Sequence, residues 1–582
     1  MTNKAIELEV KGGRDAEAKT IACRWERWHV QRRGKIEEYK ELRNYVFATD
    51  TSTTTNSALP WKNTTTIPKL CQIRDNLHSN YVSALFPNDE WLSWEAASAD
   101  DNTRVKRDAI EAYISNKCRT SNFRSEVSKC LYDYIDFGNA FSTVEFEHSY
   151  RETGNGEVVT NYVGPRIRRI SPLDIVFDPT APTFREAPKI IRSLVTLGDL
   201  AAMENQVADK AYLAKVLDRR HKMCSNPAGW GVEDVMDKAE GFQMDGFGSY
   251  QEYLESGLVE LLTFYGDIYN PAKKTVQKGV RAVVMDRMWL IDSAPLPGWM
   301  GHAPVYHVGW RFRPDNLWAM GPLDNLVGMQ YRIDHMENLK ADAMDLAIHP
   351  PLVISGEVEQ FQYAPGAEIH IDENGTITEL AKNAQWVIQA DNAIAMMEQR
   401  MEMYAGAPRE AMGIRTAGEK TAFEVQQLQN AAGRIFQEKI NQFEIELLEP
   451  SLNAMLETAA RNAPDTEIVR VLDKDVGAAI FRTITKEDIT ANGVLRPVGA
   501  RHFAAQAQLM QNITAVYNSP IGQMIAPHTS TIAMAKLVED MLSLRRHELY
   551  RPNVAVSEQA ETQQMVAAAQ EVQVNDDMAA PL

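Results

Sequence analysis

The chain has 582 residues, a hydrophobic fraction of 44% and a net charge of -18 at pH 7, with 79 acidic against 61 basic residues. At about 150 residues per domain there is room for several buried cores, which excludes a wholly disordered chain. The charge excludes a protein that grips nucleic acid over its whole surface, because phosphate affinity comes from clustered Lys and Arg; local basic contacts stay open.

Five cysteines, Cys23, Cys71, Cys118, Cys130 and Cys224, are scattered without a CxxC pair and read as reduced core thiols. The first residues lack an apolar signal core and no run approaches the ~18 apolar residues of a membrane span, so the expectation is assembly in the cytoplasm without a membrane segment.

In chain order, residues 16–48 read as one charged helix carrying Trp25, Trp28 and Tyr39, followed by a Thr/Ser-rich turn at 51–56. Aromatic residues beside arginines can stack on nucleic acid, but a packed helix explains them as well. Residues 67–86 form a second helix, with Pro68 in its first turn and Leu70, Ile73, Leu77 and Tyr81 as its apolar face. Strands at 141–146 and 158–162 flank the turn Gly154-Asn155-Gly156. Asp174 and Asp178 invite a metal assignment, yet the neighbouring prolines make them turn residues. Further strands fall at 259–265, 280–285 and 305–310, with an aromatic, Gly-rich surface loop at 241–248.

A different pattern starts near residue 326. Leu326, Met329, Ile333, Met336, Ala343 and Ala347 form a helical stripe that Pro350 and Pro351 stop. Opposite it, at about 100° per residue, lie Asp334, Asn338, Asp342 and Asp345. That acidic face either lines a lumen or is solvated. Residues 352–380 read as strands and turns, including the alternating run 368–372, and a third helix follows from Trp386 to about Tyr404. Next comes a loop with Gly406, Pro408, Arg409, Gly413, Arg415, Gly418 and Lys420. A long amphipathic helix then runs from 421 to 449, roughly 40 Å at about 1.5 Å per residue, with a kink expected at Pro450. Beyond it, Asn492-Gly493 reads as a tight turn, two amphipathic helices lie near 503–517 and 532–542, and the tail from 557 lacks aromatics.

Catalytic signatures are wanting. Residues 413–421 miss a phosphate-binding P-loop because Glu419 intrudes before Lys420 and the preceding segment is helical. No nucleophile elbow or zinc helix occurs, and His302 and His307 read as ordinary loop or strand residues. No catalytic residue, cofactor or metal is therefore expected.

The order helix, small β insert, helix, basic glycine loop, long helix resembles the portal (head-to-tail connector) proteins of tailed bacteriophages, especially the short-tailed ones. The wording Ile348-His349-Pro350-Pro351-Leu352-Val353-Ile354 and Gly418-Glu419-Lys420-Thr421-Ala422 looks like theirs, and the resemblance spans about Trp61 to Pro552. It implies an α+β subunit: a mixed wing at 1–320, a first stem helix at 321–349, a clip at 350–382 and a second stem helix at 383–404. A tunnel loop at 405–420 follows, then a long kinked helix at 421–461, a mainly helical crown at 462–552 and a C-terminal tail at 553–582. It further implies a homo-oligomeric ring, a dodecamer, at one capsid vertex of the virion, conducting double-stranded DNA during packaging and ejection. Its partners would be major capsid and scaffolding proteins, the large terminase and tail adaptors. Arg409, Arg415 and Lys420 would touch DNA, Gly406, Gly413 and Gly418 would hinge the loop, and Asp334, Asn338, Asp342 and Asp345 would line the channel. Another virion ring or scaffold protein, or a P-loop packaging ATPase, remain the alternatives.

Overall fold

The computed structural model describes residues 7–10, 13–47, 65–86, 91–97, 104–152, 158–203, 210–225, 258–271, 274–296, 302–348, 352–355, 376–379, 385–405, 436–462, 464–472, 479–490 and 493–497. Helices make up 52% and sheets 32% of them, which makes the fold α+β.

From the N-terminus come β1 (Leu8–Glu9), α1 (Arg14–Gln31), α2 (Arg33–Val46), α3 (Lys69–Leu85), β2 (Leu92–Ala96), α4 (Arg104–Thr120) and α5 (Phe123–Asp136). Strands β3 (Asn139–Glu152), β4 (Val158–Ile170), β5 (Ile175–Phe177) and β6 (Lys189–Thr196) lead to α6 (Leu197–Met203) and α7 (Lys210–Ser225). Then follow β7 (Leu258–Asn270), β8 (Thr275–Met285), β9 (Trp289–Pro295), β10 (Val305–Gly309), β11 (Arg311–Arg313) and β12 (Asn316–Met320). Two long helices, α8 (Val327–Ile348) and α9 (Gln385–Tyr404), enclose β13 (Leu352–Ser355) and β14 (Thr376–Glu379). Last are α10 (Glu449–Asn462), β15 (Thr466–Leu472), β16 (Ala479–Thr485), α11 (Lys486–Ile489) and β17 (Gly493–Pro497).

The chain divides into two compact units, Met1–Ala84 with Ser121–Thr458, and Leu85–Thr120 with Ala459–Leu582. In the first, the sheet β5-β6-β7-β8-β9 is antiparallel throughout, and β1 continues the β6 side of β7 in parallel, taking over at Ile268 where β6 ends against Tyr265. Alternation along β7 sorts the two faces. Leu262 and Phe264 meet Ala18, Ile21, Trp25 and Trp28 of α1, while Val259 and Leu261 meet Leu200 of α6 and Leu213 and Val216 of α7. A second sheet, β10-β3-β4, carries a smaller core around Phe141, Ile170, Phe177 and Val305. Its start is fixed by Gly138, at φ +68°, where a Cβ would lie 2.3 Å from the Gly321 nitrogen.

The single helix expected over 16–48 is two helices meeting at Arg32. The buried guanidinium explains the break: Nη1 donates to the carbonyls of Pro172 at 2.9 Å and Ile175 at 2.8 Å, and the group lies 3.6 Å from the Trp318 ring centroid. The second unit also departs from the sequence division. Residues 85–120 belong with the C-terminal part, because β2 pairs antiparallel with β17, Leu92 opposite Pro497 and Ala96 opposite Gly493. Gly493 is thus a strand residue, with the Glu95 carbonyl 2.5 Å from where its Cβ would be. In the same unit Lys117 of α4 reaches Glu467 of β15 at 2.5 Å. Among the described residues no helix is long and apolar enough to cross a membrane.

Candidate functional site

The α8–α9 pair is the feature that the sequence singled out. Helix α8 ends at Ile348, just before the two prolines, and β13 and β14 pair antiparallel from Leu352 opposite Glu379 to Ser355 opposite Thr376. The helices are tied by Lys340, whose Nζ reaches Glu337 at 2.7 Å and Asp391 at 2.9 Å.

Along α8 a ladder of polar side chains one turn apart binds the backbone of the chain leading into α3. The Thr65 N–H donates to Asn338 Oδ1 at 2.8 Å, the Ile67 N–H to Asp334 Oδ1 at 2.9 Å, and the Leu70 N–H to Gln330 Oε1 at 3.2 Å. Gln330 Nε2 donates in turn to the Ile67 carbonyl at 2.5 Å and to Asp334 Oδ1 at 2.9 Å. The fit is metrical: the two residues of extended chain from Thr65 to Ile67 advance about 6.6 Å against about 6 Å for four residues of helix, and the three residues from Ile67 to Leu70, tightening into the first turn of α3, reach the next turn of α8. It also satisfies amides at the start of α3 that the helix itself leaves open. On the other rod, Lys69 Nζ reaches Glu402 at 2.6 Å and lies 4.0 Å from Glu398, all three at most a quarter exposed. Burial pushes the Asp334 carboxyl above its usual range, opposed by the Ile67 N–H and Gln330.

The expected acidic lining takes a different place. Asp334, Asn338 and Asp342 are only 1%, 0% and 3% exposed, and Asp334 and Asn338 face the 65–70 segment; of the four residues only Asp345 is exposed. Desolvating such groups demands compensating hydrogen bonds, and the backbone amides of Ile67 and Thr65 supply them to Asp334 and Asn338. The exposed side of α8 carries apolar and aromatic side chains beside the charged Arg332 and Asp345: Tyr331 and Leu339 are each 40% exposed, and the half-buried His335 stacks on Tyr331 at 6.0 Å. Helix α9 likewise exposes Met396, Met403 and Tyr404.

Arg409, Arg415, Lys420, Gly406, Gly413 and Gly418 lie outside the described residues, as do the strand expected at 368–372 and the helices near 503–517 and 532–542. The chain on either side of 406–435 is placed. Ala405, buried, closes α9 with its N–H on the Met401 carbonyl at 3.0 Å. The returning helix is anchored by Phe436 stacked on Tyr81 at 4.7 Å and Phe443 against Tyr134 at 5.3 Å, and Lys439 donates to the Trp310 carbonyl at 2.5 Å. Pro450 does not end it. A π turn at Glu444–Leu448 carries the helix through into α10, the Glu449 N–H reaching back to the Glu444 carbonyl, five residues away.

Sequence reasoning missed Gln330, Lys69 and Glu402. The signal for Gln330 was present, since it extends the 334–338–342 spacing by one turn; Lys69 and Glu402 carry no pattern of their own. Of the metal candidates, Asp174 pairs with Arg192 at 2.6 Å and Asp178 accepts from the Thr180 N–H and hydroxyl at 3.0 and 2.8 Å, both turn roles. His307 is buried against Phe141 and bonds Asn139 at 3.1 Å, and His302 meets Arg185 at 2.9 Å. Among the described residues no three His, Cys, Asp or Glu side chains converge as a metal site. No family model matches the chain, and no curated protein matches it either.

Proposed function

We propose that this chain is a portal protein: a ring of identical copies at one vertex of a phage capsid, conducting double-stranded DNA and joining head to tail. The observation that carries this assignment is the succession α8, β13–β14, α9, then residues 406–435, then a helix continuous from 436 to Asn462 through the π turn. A two-rod hairpin with a small strand pair at its far end suits a stem and clip. The helix from 436, seated on Tyr81, Tyr134 and Trp310, suits the long helix that follows a tunnel loop. The outward side chains Tyr331, Leu339, Met396 and Tyr404 offer neighbouring copies an apolar surface.

In this role Arg409, Arg415 and Lys420, repeated by symmetry, would make transient phosphate contacts, and the net charge of -18 would discourage tight adhesion of the passing duplex. The strand pair β13–β14 would meet the packaging motor and later the tail adaptors. Electron microscopy of the purified chain is expected to show a turbine-shaped ring with a central channel, dodecameric in the commonest case. A compact monomer without a bore would overturn the proposal. Replacing Arg409 and Arg415 together by alanine is expected to leave rings intact and reduce DNA packaging or retention; filled heads at wild-type yield would remove those residues from the role, and rings with no effect on packaging would favour another virion ring.

A further inference from the structure

The acceptors that hold the 65–70 segment are repeated one helical turn further along both rods, and in the same direction in space. On α8, Gln330, Asp334 and Asn338 receive Leu70, Ile67 and Thr65, and Asp342, one more turn toward β13, is buried on the same face. On α9, which returns from β14, Glu402 holds Lys69, and Glu398, one turn nearer β14, already stands 4.0 Å from the same ammonium. If α8 and α9 move together along their axes by one turn, drawing the β13–β14 end toward α3, Leu70, Ile67 and Thr65 meet Asp334, Asn338 and Asp342. Lys69 meanwhile meets Glu398. A turn in the opposite direction puts apolar Leu326 against the Leu70 amide and has no such set of acceptors.

We propose that the 65–70 segment is a detent with two registers, between which the α8–α9 pair steps by one helical turn, about 6 Å. Hydrogen bonds to discrete rungs favour whole-turn positions over a continuum, because an intermediate position leaves buried amides and carboxylates unsatisfied. Lys340, bridging to Asp391, makes the two rods move as one. The 3-10 turn Asp324–Leu326 and Gly328, around which a Cβ would find nothing within 4 Å, give the chain a place to absorb the displacement. Apolar packing sets the populations. A one-turn step replaces Met329 by Ile333 and Met401 by Met397, which conserve volume, but Ile333 by Glu337, which does not, so the second register is the minor one. The proposal rests on the fold alone and stands or falls independently of the portal assignment.

Four substitutions separate the registers. Gln330→Met and Glu402→Gln remove partners that hold the 65–70 segment in the observed register; Asp342→Leu removes the residue that would take over Thr65 in the second, and Glu398→Gln the one that would become the main partner of Lys69. The readout is the distance between spin labels on Ser79→Cys of α3 and Leu339→Cys of α8, in full-length chain lacking Cys23, Cys71 and Cys224, with Cys118 and Cys130 buried, and diluted with unlabelled protein. Wild type is expected to give a major distance and a minor one displaced by up to about 6 Å, the axial advance of four residues. Glu402→Gln is expected to raise the minor population about tenfold, the loss of one charge-assisted bond. Glu398→Gln, a milder change at a partly exposed site, is expected to deplete it without altering the melting temperature. A single distance in all four variants, or equal effects of Glu398→Gln and Glu402→Gln, overturns the proposal.

Discussion

Lys189, on β6, has its ammonium inside the protein, donating to the Phe184 carbonyl at 2.7 Å and lying 4.1 Å from that ring's centroid. Desolvation brings its pKa down to about 7, and burial first, Lys189 second, holds the neighbouring His307 down to about 3. The unfolded chain keeps Lys189 protonated to its ordinary 10.5, so between about 7 and 10.5 the unfolded state binds more protons and stability climbs with pH. Below about 7 both states carry the proton and the penalty for charge burial is at its full size, on the order of 5 kcal/mol. His307 acts in the same sense lower down: stability present above 6.5 is lost as pH falls toward 3. Lys189→Met is therefore expected to stabilise the first unit most at about pH 6 and hardly at all near pH 10. Urea titrations at the two pH values check it; a gain independent of pH would mean that packing, not charge, separates the two proteins.

One level up, the β8–β9 connection shows how a local rule is set aside. Its two turn residues, Asp286 and Arg287, adopt φ of 48° and 60°, the conformation for which Asn-Gly is usual. Both are buried and both are held: Arg220 Nε donates to Asp286 Oδ2 at 2.8 Å, and Arg287 grips Glu260 of β7 through Nε and Nη2, each at 2.9 Å. Arg287→Gly relieves a left-handed side chain, worth about 1 kcal/mol, but takes the Nε and Nη2 donors away from the buried Glu260 carboxylate. The net expectation is a loss of about 3 kcal/mol in denaturant unfolding, largely restored by adding Glu260→Leu. A stabilised single variant would show the turn's strain to outweigh its ion pair. No turn residue announced this hairpin, which is why the sequence yields the strand at 280–285 and not its partner β9. The helices α3, α8 and α9 were legible because apolar stripes and prolines punctuate them, as at Pro68 and Pro350. The side of α8 that faces inward was not: it packs against an extended segment without periodicity, so the polar stripe looked like the outer one. The pairing of β2 with β17 joins residues 92–96 to 493–497 and leaves no local trace.

At the scale of the whole molecule, two opposing features would govern the self-association that the proposed ring requires. Tyr331 and Leu339 along α8 and Met396, Met403 and Tyr404 along α9 leave large apolar side chains in water, with Met403 64% exposed. Against them stands a charge of -18 on every copy, whose mutual repulsion opposes assembly and is screened as salt is added, the Debye length falling from about 10 Å at 0.1 M to about 3 Å at 1 M. Association through the rods should therefore tighten with ionic strength, the reverse of an interface held by ion pairs. Leu339→Asp adds a carboxylate to the middle of the α8 stripe, where the side chain is already 40% exposed, so the folded chain should keep its melting temperature. Its expected effect is on the oligomer: sedimentation at matched concentration should show smaller species than wild type in low salt, with partial recovery in high salt. If Leu339→Asp assembles as wild type does, this face of α8 does not lie between copies, and the apolar surface of α9 would have to hold them together alone.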